Sequence, residues 1–166
     1  MTVPVLSIVG SSNSGKTTLV EQLIAVLAGK GLRIASIKHS HHQPEMDMPG
    51  KDSWRHKQAG AVTSFLVGPS QMMMVADIEQ EINPNLLADR FCDAYDLVLV
   101  EGYASLPGAK IEVLRAERSM HLLCHPSELL AVVTNVPSVY PELLQFDLDD
   151  IEALSAFVLR WIHHDA

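Results

Sequence analysis

A chain of 166 residues and 18.2 kDa has the length of one ordinary domain, able to bury roughly 70% of its unfolded surface. Its 48% hydrophobic and 19% charged residues, with nine each of Gly and Pro, exclude a disordered or low-complexity chain. Twelve Lys and Arg against 20 Asp and Glu leave a net charge of -8, so general attraction to nucleic acid or anionic membrane is excluded, and any bound phosphate needs a local device.

The opening MTVPVLSIVGSSNSGKT lacks a basic start and a small-residue cleavage site, and its apolar run is too short for a signal core or a membrane span. Cytoplasmic residence is the expectation. Val3 to Val9 is rich in Val and Ile and stops at a glycine, which reads as a buried strand in a parallel setting. From Lys16 to Ala28 the residues Leu19, Leu23, Val26 and Leu27 recur at three and four, a helical stripe that Gly29 and Gly31 end. Arg33 to Lys38 supplies the next strand. His39 to Lys51 (HSHHQPEMDMPGK) then reads as a mobile functional loop inside one domain.

A short helix is expected from Asp52, whose carboxylate can cap the next turn, to Gly60. Val62 to Val67 and Gln71 to Val75, separated by Gly68, Pro69 and Ser70, read as an antiparallel hairpin added to the sheet, with Met72, Met73 and Met74 filling core. Asn83-Pro84 opens another helix through Phe91. Leu97 to Val100 is the most apolar strand, and Ile111 to Leu114 and Leu130 to Val133 are two more. Ile151, Leu154, Phe157, Val158 and Trp161 mark a C-terminal amphipathic helix. Strands alternating with helices give a three-layer α/β domain with a mainly parallel sheet spanning residues 1–166. Cys92 and Cys124 have no CxxC spacing and read as buried thiols.

Gly10 to Thr17 (GSSNSGKT) matches GxxxxGK[ST] directly after a strand and at the opening of a helix. The chemistry needs each residue type. Gly10 and Gly15 permit a tight wrap, the amides of residues 13 to 18 form an anion nest, Lys16 adds a cation for β and γ phosphates, and Thr17 is placed to ligate Mg²⁺. This assigns the chain to the P-loop NTPase fold. Glu101 closes the strand DLVLVE where open α/β sheets place ligand groups, which makes it the candidate acidic member of the Mg²⁺ site or the group that orients water. Asp52, or Asp47, is a further carboxylate candidate, with helix capping or solvation as the plain alternative. Asp96, at the far end of that strand, is expected to cap or to be solvated. His39, His41 and His42, with His56, offer imidazoles for a transition metal, for substrate phosphate or simply for solvent.

The strings GSSNSGKTTL, IKHSHH, PGKDSWRHKQAGA, LVLVEGY and KIEVLR, in this order, make the chain resemble the MobB family, the molybdopterin-guanine dinucleotide biosynthesis protein B, over nearly its whole length. The resemblance implies a homodimeric GTP-binding accessory protein with weak GTPase activity. It would act beside the guanylyltransferase MobA in attaching GMP to molybdopterin, which is itself a candidate bound substrate. Carried over by residue, the phosphate loop is Gly10, Ser11, Ser12, Asn13, Ser14, Gly15, Lys16, Thr17 and Thr18. The magnesium-side acids are Asp52 and Glu101, and the loop histidines are His39, His41 and His42. Guanine is commonly fixed by NKxD after a strand; here residues 132–137 read VVTNVP, lacking that Lys and Asp, so Thr134, Asn135 and backbone near Pro137 are the candidate base readers. Ser11 is not the extra lysine of the dimerising ATPases. No arginine finger is evident, so slow hydrolysis is expected unless Arg55, Arg115 or Arg118 moves in. Two readings from other classes are a nucleotide-gated metallochaperone using HSHH and a small-molecule kinase.

Overall fold

Strands apolar on both faces pair in parallel, and the crossover helices that must join them cover the sheet. The computed structural model, which describes residues 3–40, 42–136 and 140–164, has in chain order β1 (Val5–Val9), α1 (Lys16–Gly29), β2 (Ile34–Lys38), α2 (Asp52–Gln58), β3 (Thr63–Val67) and β4 (Met72–Ala76). These are followed by α3 (Pro84–Phe91), β5 (Leu97–Glu101), β6 (Ala109–Leu114), a 3-10 turn at Pro126–Glu128, β7 (Ala131–Thr134), β8 (Gln145–Phe146) and α4 (Ile151–His164). The described residues fall into two compact units, one within Met1–His39 and Asn83–Ala166, the other Ser40–Ile82.

In the first unit a six-stranded sheet runs β2-β5-β1-β6-β7-β8 with every pair parallel. Its register sets Lys38 beside Glu101 and Ile8 beside Ile111. One face carries Leu6, Ile8, Leu97, Leu99, Ile111 and Val133, which pack on Leu23 and Leu27 of α1 and on Leu154 and Val158 of α4. Each such leucine taken from water contributes about 1.5–3 kcal/mol. Lys30 ties the two helices together through Glu152 and Ser155. On the opposite face Val98 and Val100 pack on Ala88 and Cys92 near α3. Val9, Leu114 and Val132 there meet Cys124, Leu129 and Val136, which come from loops. The fold is the three-layer P-loop NTPase architecture read from the sequence.

Asn83 caps α3 by accepting from the Asn85 amide, with Pro84 at the first helical position. Asp96 accepts from the Arg33 amide at 2.6 Å and so pins the entry of β2 to β5. Cys92 and Cys124 are buried, and burial pushes both thiols up, so neither is poised to react. The two-residue β8 and the 3-10 turn are too short to show any periodicity in sequence.

The second unit holds α2 and the β3–β4 hairpin, whose register pairs Phe65 with Met74 and Leu66 with Met73. Lys57 fastens the hairpin base, its ammonium 2.7 Å from both the Val62 carbonyl and the Asp77 carboxylate. Three expectations are corrected here. The hairpin forms its own two-stranded sheet instead of adding to the large one. Met72 and Met74 are exposed, not core, because strand alternation turns both to the same outward side. Asp52 does not cap α2: Lys51 stands at the cap position and makes no side-chain capping bond, while Asp52 lies in the first turn, 3.7 Å from Arg55.

Candidate functional site

β1 is the central strand with three strands on one side and two on the other, and its C-terminal end opens into residues 10–15 before α1 begins. Gly10 has φ 141°, and a Cβ there would stand 2.5 Å from the Val113 carbonyl oxygen of the neighbouring strand. Only glycine fits. Asn13 takes φ 59° and Gly15 φ 102°, so the chain wraps back on itself, with the Ser14 amide donating to the Ser11 carbonyl. Gly15 then stands at the helix N-cap without a side-chain capping bond. The first-turn amides of a 14-residue helix are thereby left for an anion, at the positive end of its dipole.

Lys16 folds back over this loop, its ammonium donating to the carbonyls of Gly10 at 3.0 Å and Ser11 at 2.8 Å. Burial lowers its pKa; Glu101 works against that and Lys38 adds to it. An ammonium bonded only to neutral carbonyls in a partly desolvated place favours an arriving polyanion. Ser14 is fully buried, and its hydroxyl has no hydrogen-bond partner among the described residues. Ser11, Ser12, Thr17 and Thr18 line the exposed rim of the loop and the start of α1.

On the β5 side the expected metal pair is together. The Thr17 hydroxyl donates to Glu101 Oε1 at 2.8 Å, and the Lys38 ammonium sits 2.9 Å from that oxygen and 3.3 Å from Thr17 Oγ1. The parallel register of β2 and β5 places Lys38 there. A hydroxyl and a carboxylate oxygen held this close, with a cation already bonded to both, are a hard-oxygen donor set that fits Mg²⁺. Asp52 and Asp47 belong to the other unit. There Asp52 is exposed beside Arg55. Asp47 Oδ1 accepts from the Met48 amide, while its Oδ2 is shielded and without a partner among the described residues.

On the β6 side the structure adds a residue that the sequence reading left unplaced among three arginines. Arg115, directly after β6, donates from Nε to the Ser14 carbonyl at 3.2 Å, and its guanidinium covers Gly15. Of the expected base readers, Thr134 Oγ1 accepts from the Val136 amide. Asn135 Oδ1 accepts from the Ala116 amide at 2.8 Å, and its Nδ2 donates to Glu117. Thr134 is thus spent on the turn that ends its own strand, and Asn135 on joining the ends of β7 and β6. Pro137 lies outside the described residues.

His39 stacks on Tyr103, ring centroids 4.3 Å apart, and His42 is exposed in the other unit. His41 lies outside the described residues. Among the described residues no group of three His, Cys, Asp or Glu side chains is placed to hold one metal ion. No helix among them is long and apolar enough to cross a membrane.

Residues 5–135 match the family MobB, molybdopterin guanine dinucleotide synthesis protein B. The chain belongs to the MobB family. It is 38% identical over 163 residues to the molybdopterin-guanine dinucleotide biosynthesis adapter protein of Haemophilus influenzae, covering 98% of this chain and 91% of that one. It is 33% identical to the Escherichia coli adapter protein, covering 96% and 94%. Among solved structures, Bacillus subtilis MobB superposes with a TM-score of 0.77 at 26% identity, covering 95% of this chain and 96% of that one. A second crystal structure, of molybdopterin-guanine biosynthesis protein B, gives 0.75 at 27%, covering 96% and 99%.

Proposed function

We propose that this MobB family member binds GTP with Mg²⁺, hydrolyses it slowly, and serves as an accessory protein beside the guanylyltransferase MobA in converting molybdopterin to its guanine dinucleotide. The observation that carries this reading is the Gly10–Thr17 loop: an uncapped helix start, a partly desolvated Lys16 folded over it, and Thr17 within 2.8 Å of Glu101.

Loop amides and Lys16 would hold the β and γ phosphates by charge-assisted hydrogen bonds. Thr17 and Glu101 would hold Mg²⁺, directly or through water, where it would supply charge neutralisation for the same phosphates. Glu101, once released from Lys38, accepts from and orients a water. Arg115 is engaged with the loop backbone at Ser14, so it is not poised over the γ phosphate as an arginine finger. Without that group hydrolysis is slower by roughly 10³–10⁵, which suits an adapter more than a turnover enzyme. A homodimer is part of the same proposal, supported by the apolar hairpin exposed on β3 and β4. Molybdopterin is its candidate second ligand.

The test is calorimetric binding of GTP to wild type and to Lys16→Ala. The expected result is at least a tenfold loss for the variant, about 1.4 kcal/mol. Equal affinity in the two proteins overturns the reading. A parallel assay of dinucleotide formation by MobA, with and without this chain, checks the accessory role through an increased yield.

A further inference from the structure

The sheet order divides the rim around the loop. Thr17, Glu101 and Lys38 lie toward β5 and β2. Toward β6, β7 and β8 an open cavity of about 610 Å³ lies at the strand C-termini, lined by Arg115, Asn135, Asp147, Leu148, Asp149 and Asp150. That volume is in the range of small-ligand sites, and strand C-terminal ends are where open α/β sheets bind ligands. Arg115 belongs both to this cavity and to the loop, through Ser14 and Gly15. For a nucleotide whose terminal phosphates face the Thr17–Glu101 side, this cavity is the space on the other side of the loop open to its base.

The polar groups of the cavity are not equivalent. Asn135 is occupied by Ala116 and Glu117, and Asp150 Oδ1 accepts from the Ala153 amide at the start of α4. Asp147 and Asp149, on the turn that follows β8, make no side-chain hydrogen bond among the described residues and are exposed. Leu148 between them is half-buried against the core and offers an apolar edge. Arg115 contributes a planar guanidinium of the kind that stacks on rings.

We infer, resting on the nucleotide reading above, that guanine is read here by a carboxylate of the Asp147–Asp149 turn, which replaces the aspartate missing after Asn135. Guanine presents N1–H and the 2-amino group as adjacent donors, which a carboxylate accepts in bidentate fashion. Adenine presents an unprotonated N1 and no 2-amino group, so the same carboxylate repels it. The specificity carboxylate thus comes from the strand after the usual one, while Asn135 holds the β6 and β7 strand ends in place.

The experiment measures binding of GTP, ITP, XTP, ATP and tripolyphosphate to wild type, Asp147→Asn, Asp149→Asn and the double variant. Tripolyphosphate has no base, so its unchanged affinity reports an intact fold and loop in every variant. Wild type is expected to prefer GTP over ITP and ATP by roughly tenfold or more, the scale of one bidentate base contact. One of the single variants, and the double, should lose that preference and gain affinity for XTP, whose 2-carbonyl accepts from the new amide. Unchanged preference in the double variant overturns the inference and leaves the phosphate reading standing; so does a wild type that binds GTP and ATP equally. A wild type that binds neither tripolyphosphate nor any nucleotide overturns both.

Discussion

Glu101 Oε1 accepts hydrogen bonds from the Thr17 hydroxyl and the Lys38 ammonium at once, so the chain already holds a cation where two hard oxygens converge. The Lys38 side chain is 63% exposed, and an ion pair that open contributes no more than about 1 kcal/mol. It can therefore yield to a better cation. Mg²⁺ brought in with a triphosphate carries twice the charge and needs only one or two protein oxygens. Glu101→Gln keeps the shape and hydrogen bonding of the side chain but removes its charge. GTP affinity measured with Mg²⁺ and with a chelator should separate the contributions. In wild type Mg²⁺ strengthens binding; in Glu101→Gln that enhancement should fall several-fold while metal-free binding stays level or improves, since an anion near the phosphates has gone. A variant with the full metal enhancement would remove Glu101 from the ion's shell.

At the scale of elements, β6 shows where sequence periodicity and burial part company. Lys110 and Glu112 alternate with Ile111 and Val113, a pattern that ordinarily belongs to a strand with one solvated side, yet both are only 1% exposed. The face they occupy is covered by loop instead of helix, and the charges fasten that cover. Glu112 accepts from the Leu123 and Cys124 amides at 2.6 and 3.0 Å, and Lys110 pairs with Glu128 at 3.3 Å. Desolvation raises the Glu112 pKa, with the two amides pulling against it. An acid whose folded pKa exceeds its unfolded one favours folding while protonated. That contribution is complete below the unfolded carboxylate range and is lost as pH rises toward the folded value. Urea titrations at a series of pH values should show wild type losing stability upward from the ordinary carboxylate range, with Glu112→Gln lacking that slope. Glu112→Ala should cost about 1–3 kcal/mol at every pH, because it orphans the buried amides. Identical slopes for wild type and Glu112→Gln would refute this account. The same logic explains what was legible beforehand. Apolar runs such as Leu97–Val100, the Lys16–Ala28 stripe and the Gly10–Thr17 loop carry their structure locally, so the fold and half of the site could be read. Lys38 and Arg115 reach the loop only through strand register and order, which no local pattern encodes.

At the scale of the whole molecule, the Ser40–Ile82 unit departs most from a self-sufficient fold. A lone two-stranded hairpin is marginal in water, because its outer edges remain unpaired and each face needs a partner layer. Here Phe65 is 58% exposed, Leu66 54%, Val67 70% and Met72 66%, so apolar side chains stand out on both faces of the hairpin. Turn chemistry and the Lys57 clasp at Val62 and Asp77 hold the hairpin in shape, but they bury little. A chain that keeps such a patch in water tends to associate, and a second copy offers the same patch in a self-complementary way. The expectation is a dimer in solution that charges on the hairpin disrupt. Phe65→Asp combined with Met72→Lys should shift sedimentation from dimer to monomer at micromolar protein. Far-ultraviolet circular dichroism should change little, since the six-stranded sheet and its helices lie in the other unit. A variant that still sediments as the wild type does would assign self-association to another surface. A wild type that sediments as a monomer would remove the dimer from the proposed function altogether.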